Sequence, residues 1–187
     1  FISKIKDDYL YFTADQKYFI IQSEKSGFYH YYLYTISGKP VNPITSGKWE
    51  VDQLLAVDEN KRKMYFIANA ESEIRKDVYA INLDGSEMRK LSSQPGSNKA
   101  SFSRTYKYYI SEWSNANTPP KYAVNKINGS EIRVIEDNAV LKAKIERYGF
   151  AKKEFIKIPV SDSLELNAYI IKPANFDSIC KYPLLMS

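Results

Sequence analysis

Val78-Tyr79-Ala80-Ile81-Asn82-Leu83-Asp84-Gly85-Ser86 is a run of β-branched, aromatic and aliphatic residues that closes on Asp-Gly, and Met88 to Leu91 follow it. Residues of this kind fit a pleated, half-buried surface, so the run reads as a strand. Asp-Gly between two such runs reads as a two-residue hairpin, in which both central positions need φ > 0. The same plan stands on either side. Tyr31 to Ile36 precedes Ser37-Gly38, and Tyr122 to Ile127 precedes Asn128-Gly129. Fourth strands follow over Val41 to Thr45 and Ile132 to Ile135.

Working outward, the rest of each unit repeats as well. The glycines Gly38, Gly85 and Gly129 are spaced by 47 and 44 residues, Tyr18, Tyr65 and Tyr108 by 47 and 43, and Phe12, Val57 and Phe102 by 45 and 45. Each unit opens on a short strand ending in a polar turn and continues through a β-rich run: Tyr18 to Ile21, Met64 to Ile67, and Tyr108 to Ile110. Four short antiparallel strands recurring about every 45 residues is the pattern of propeller blades. Helical and leucine-rich repeats fail on period or on strand pattern. The competing β-sandwich need not repeat its turn chemistry in register. The fold class is therefore all-β, a partial β-propeller of about three four-stranded blades over residues 1–136.

After Glu136 the pattern changes. Leu141, Ile145 and Tyr148 recur at helical spacing, Asp137 or Asn138 stands at the start and Gly149 at the end, so residues 137–151 read as a short helical linker. Glu154 to Val160 and Leu166 to Lys172 then alternate as two strands joined by a polar turn. Pro173 to Asp177 reads as a loop, and Tyr182 to Met186 as an apolar, buried strand. A second domain is expected over 152–187.

Composition supports the β reading and excludes several function classes. Among 187 residues there are 16 Tyr and 9 Phe against 7 Gly. The net charge of +5 comes from 27 basic and 22 acidic side chains that are interspersed, which describes a solvated surface and not a nucleic-acid patch. A single cysteine, Cys180, cannot form an internal disulfide framework. No apolar run approaches the roughly 20 residues of a membrane span, and the first residues lack a signal-peptide layout. A start at Phe1 and an end on Leu184-Leu185-Met186-Ser187 suggest an internal piece of a longer polypeptide.

Several stretches together resemble the dipeptidyl peptidase IV family, in the prolyl oligopeptidase clan of serine peptidases. They are Ser26 to Tyr34, Pro43 to Val51, Val78 to Ser86, Arg133 to Asn138, and Ile171 to Pro173 with Lys181 to Met186. The resemblance spans essentially the whole chain. It implies an eight-bladed propeller followed by an α/β-hydrolase domain whose first strands are residues 152–187. It also implies a serine exopeptidase that releases X-Pro or X-Ala dipeptides from peptide N-termini. The nucleophile Ser, the Asp and the His of such an enzyme would lie beyond Ser187, so no catalytic residue is placed on this chain and the blades would shape access to the site. No substrate-binding residue is identified. Peptide substrates and a homodimer are the implied partners, with no nucleic acid, metal or cofactor. A periplasmic, extracellular or membrane-anchored location follows from the family alone. The alternative is a non-catalytic propeller that serves as a binding module.

The residues themselves offer few chemical candidates. His30, the only histidine, heads a Tyr-rich strand, and no Gly-x-Ser-x-Gly elbow occurs in the chain, so a structural role is expected. Glu71-Ser72-Glu73 imitates a carboxylate pair but lies beside Arg75, Lys76 and Asp77 and reads as an exposed turn; Asp7-Asp8 reads the same way. Cys180 has no partner base. Trp49 and Trp113 are expected in the core or between blades. Three blades cannot close a ring, so open edges and self-association are expected.

Overall fold

The structure is a computed structural model that describes residues 10–162, 164–173 and 175–186. It divides into two units: one holds the residues up to Asn115 with Pro120–Asp137, the other Ala116–Pro119 with the residues from Asn138 onward.

The first unit contains three four-stranded antiparallel sheets in simple sequence order. Sheet one is β1 (Leu10–Phe12), β2 (Tyr18–Ser23), β3 (His30–Thr35) and β4 (Pro40–Pro43). Sheet two is β5 (Val51–Asp58), β6 (Lys63–Ala68), β7 (Asp77–Asn82) and β8 (Arg89–Lys90), and sheet three is β9 (Ser97–Phe102), β10 (Tyr108–Asn115), β11 (Thr118–Lys126) and β12 (Glu131–Glu136). These are propeller blades, and the fold class read from the repeat holds.

The turns repeat too, with a correction to their type. In each blade the third and fourth strands are joined by a three-residue loop, not a two-residue one. Gly38, Gly85 and Gly129 donate their N–H to Thr35, Asn82 and Lys126 O at 2.8, 2.9 and 2.9 Å, and those same residues donate to Lys39, Ser86 and Ser130 O. Only the glycine has positive φ (84, 88 and 90°), the arrangement of a type I turn closed by a glycine bulge. Asp84 and Asn128 stay right-handed because their side chains do a different task. Asp84 Oδ1 accepts from Ser86 N and Oγ (2.9 and 2.7 Å), and Asn128 Oδ1 accepts from Ser130 N at 3.0 Å. The Ser86 hydroxyl and N–H hold the Asp84 carboxyl below its ordinary range. This register also corrects one marker: Tyr18 and Lys63 occupy matching positions, opposite Thr35 and Asn82, so Tyr65 stands two residues further along.

Blade two is buried on both faces. Along β6, Met64, Phe66 and Ala68 join Ile20, Tyr31 and Leu33 of blade one, while Tyr65 and Ile67 join Ala100 and Tyr109 of blade three. An alternating strand that is apolar on both sides fits only between two other sheets. Backbone bonds pin the blades at matching places, Val51 N donating to Tyr29 O (2.9 Å) and Asn98 N to Lys76 O (2.8 Å), and Lys76 N adds a bond to Gly96 O (2.9 Å). Side chains add further ties. Tyr11 donates to Glu59 Oε1 at 2.7 Å, and Tyr106 to Val57 O at 2.8 Å.

Burial, with Glu59 beside it, raises the Tyr11 phenol well above its ordinary range; burial does the same for Tyr79 and, to a lesser degree, Tyr65, Tyr106 and Tyr109. A phenol whose folded pKa is raised contributes stability that is present below its unfolded pKa, about 10, and lost above it. Thermal midpoints are therefore expected to fall as pH rises beyond about 10, and Tyr11→Phe should soften that fall; a midpoint independent of pH across this range would contradict it.

The second unit holds helix α1 (Ala139–Tyr148) and the hairpin of β13 (Lys153–Ser161) and β14 (Leu164–Ile171). Gly149 ends the helix in the left-handed conformation expected of it (φ 64°). The start departs from expectation. Asn138 holds the cap position with left-handed backbone, and its side chain makes no capping bond to the helix that begins at Ala139. Residues 182–186 form no strand, and Leu184 and Leu185 are exposed. Pro183 cannot donate to a ladder, and the run has no ladder partner among the described residues.

Candidate functional site

His30 and Asp77 open the third strands of blades one and two, and Lys121, inside β11, is their counterpart in blade three: each stands five residues before the residue that closes the turn. Each is polar, and each is satisfied differently.

His30 is buried between blades. Its Nε2 lies 3.1 Å from Gly47 O, which can only accept, so Nε2 carries a hydrogen. Nδ1 lies 3.0 Å from Thr45 Oγ1, which also accepts Tyr31 N–H at 3.0 Å. The imidazole and the Trp49 ring are perpendicular (89°) with centroids 4.9 Å apart, and Trp49 stacks in turn near Phe66. Both ring nitrogens are used inside the fold, which is the structural role expected of it, and Trp49 packs between blades as expected.

Asp77 repeats this plan with other residues. Its Oδ1 accepts from Ser92 Oγ at 2.7 Å and from Asn98 Nδ2 at 3.2 Å, and Ser92 Oγ accepts from Val78 N, as Thr45 does from Tyr31. A buried carboxylate held by neutral donors fixes the loop between blades two and three. Lys121, the third member, reaches Glu131 across the hairpin at 2.8 Å.

The remaining sequence candidates are not brought together. Glu71 is exposed and pairs with Lys90 Nζ at 2.5 Å, and Glu73 is exposed. Cys180 is exposed near Asp177 Oδ2 at 3.7 Å. Asp7 and Asp8 lie outside the described residues.

The first unit has a cavity of about 290 Å³ between blades two and three, bordered by Ser92, Asn98, Ser111, Trp113, Lys121 and Asn125 among others. Trp113 lies between blades, one of the two places expected of it, and borders this space. Its Nε1 donates to Pro95 O at 3.2 Å. The origin of the cavity is legible in the register. Against blade one, blade two presents Met64, Phe66, Tyr79 and Ile81. At the matching positions against blade two, blade three presents Tyr109, Ser111, Ala123 and Asn125. Three large side chains are replaced by small or polar ones, so the first seam is filled where the second, although it holds an apolar cluster of its own, keeps a hollow with polar side chains at its border. Sequence reasoning passed over Ser111 and Asn125; aligning the units by their turn glycines and comparing the paired positions exposes them.

Three four-stranded sheets packed face to face, with buried polar ties at the head of the third strand in blades one and two, define residues 10–136 as part of a β-propeller. Residues 1–120 match the family described as Dipeptidyl peptidase IV (DPP IV) N-terminal region, and the chain belongs to that family. Curated relatives include dipeptidyl peptidase 4 of Trichophyton equinum, 30% identical over 175 residues covering 92% of this chain and 23% of the relative, and that of Arthroderma otae, 31% identical over 176 residues with the same shares. Among solved structures, Porphyromonas gingivalis dipeptidyl peptidase 4 superposes with a TM-score of 0.82 at 42% identity, covering 90% of this chain and 24% of that one. A putative dipeptidyl aminopeptidase IV from Bacteroides ovatus shares the fold (TM-score 0.77, 20% identity, 93% of this chain and 27% of that one). The chain spans about a quarter of the length of these relatives.

Proposed function

We propose that this chain provides propeller blades of a serine exopeptidase that releases X-Pro or X-Ala dipeptides from peptide N-termini, and that it carries none of the three triad residues itself. The observation that carries this reading is the 42% identity to a dipeptidyl peptidase 4 maintained over 90% of the chain. The geometry of the one histidine agrees with it, since His30 is held by Thr45 and Gly47 and no Gly-x-Ser-x-Gly stretch exists to supply a nucleophile. In this reading the blades form scaffold and access wall, residues 137–151 link to the peptidase domain, and residues 152–187 are that domain's first strands. Family resemblance also supports action as a homodimer outside the cytoplasm.

The test is an assay of the purified 187-residue chain against a Gly-Pro anilide. No turnover is expected, while a polypeptide carrying the downstream reading frame should cleave the same substrate and reject one with a bulky residue in the second position. Turnover by the short chain that persists through stringent purification overturns the assignment.

A further inference from the structure

The hollow seam between blades two and three is specified by sequence, because Ser111, Ala123 and Asn125 stand where the neighbouring seam is filled by Phe66, Tyr79 and Ile81. A packing defect of this size would ordinarily be destabilising, yet here the walls are polar and ordered. Asn125 is buried, with Nδ2 donating to Ser111 Oγ (2.8 Å) and Ala123 O (3.2 Å). Asn98 is equally buried, tied to Lys76 O, Asp77 Oδ1 and Gln94 O. Gly96 leaves room for the Trp113 indole, which a Cβ there would meet at 3.0 Å from Nε1. The charges at the border are opposed, Lys121 with Glu131 and Lys99 with Glu112.

We infer that this cavity is a binding site for a small neutral polyhydroxylated ligand of monosaccharide size. The Ser92 and Ser111 hydroxyls and the Nδ2 donors of Asn98 and Asn125 are used within the fold, which leaves the two carboxamide oxygens to accept from the hydroxyl groups of a ligand. An indole at the border offers an apolar surface to the C–H face of a sugar ring. Paired border charges give no net attraction for an ion. At about 290 Å³ the space lies at the lower end of ligand pockets, roughly 300–1,000 Å³, and is many times the roughly 30 Å³ share of one water. Lys121 and Glu131 are partly exposed, so their pairing is weak enough to rearrange around a guest.

The experiment titrates the full chain with glucose, galactose, mannose and N-acetylglucosamine and follows the tryptophan indole N–H resonances, Trp113→Phe assigning the relevant one. A saturable shift of the Trp113 signal is expected with at least one sugar, with a Kd on the order of 1 mM for so small a ligand. Ser111→Phe, which installs the residue found in the filled seam, should weaken it at least tenfold. Asn125→Ala, which removes a carboxamide without adding bulk, should do the same and serves if Ser111→Phe does not fold. No saturable response to any of the four sugars, meaning that water alone fills the space, overturns the inference. So does a response that both variants leave unchanged.

Discussion

Replacing Phe66 by Ala is expected to lower the unfolding free energy by about 3–5 kcal/mol. Phe66 is fully buried, at 0% exposure, and stands at the centre of the seam between blades one and two, with Tyr31, Trp49 and Tyr79 rings at 6.1, 6.4 and 5.7 Å. Truncation removes its transfer free energy and leaves a void that four surrounding strands cannot collapse into, since each is fixed by its own ladder. The matching residue of the next blade provides the control. Ser111→Ala removes one hydroxyl that accepts from Asn125 at 2.8 Å, and should cost only about 1 kcal/mol. Urea unfolding of the two variants measures the contrast. Equal losses would mean that the two seams are packed alike at these positions.

Gly96→Ala is the second large effect, about 3 kcal/mol or more, combining backbone strain with overpacking. Gly96 has φ 149°, and a Cβ there would lie 2.3 Å from Ser114 O, a backbone atom that cannot rotate away. The Gly96 carbonyl also accepts from Lys76 N, the bond that joins blades two and three, so any shift made to relieve the clash loosens that junction. Gly27→Ala isolates the conformational part. Gly27 has φ 93° and open space around its Cβ position, so only strain, about 1–2 kcal/mol, should appear. Thermal or chemical denaturation of both variants tests this; if Gly96→Ala is no worse than Gly27→Ala, the close approach to Ser114 does not exist in solution.

Much of the fold was legible because its signals are local and repeated. Twelve strands in three sheets follow from alternating apolar runs and from glycines at fixed offsets, and a period of about 45 residues excludes other repeats. Details set by hydrogen-bond register were not. The dipeptides Asp84-Gly85 and Asn128-Gly129 suit two-residue turns, but tying Asp84 to Ser86 and Asn128 to Ser130 keeps the first residue right-handed and leaves the positive φ to glycine alone. The apolar run at 182–186 carries a strand's composition, yet a strand needs a neighbour to pair with, and among the described residues it has none.

The candidate site divides in the same way. The bland reading of His30 was available from its solitude in the sequence, whereas its partners, Thr45 and Gly47, become neighbours only when β3 and the segment after β4 are folded together. The substitution of Phe66, Tyr79 and Ile81 by Ser111, Ala123 and Asn125 was present in the sequence from the start. Its meaning depended on which faces meet. By itself the sequence determined the repeat, the blade class and the positions of the turns, because these rest on side-chain period and on glycine's conformational freedom. Only the tertiary structure decided that one seam is filled and that the other keeps a hollow beside its apolar cluster, since packing density is a property of two facing surfaces and not of either strand alone.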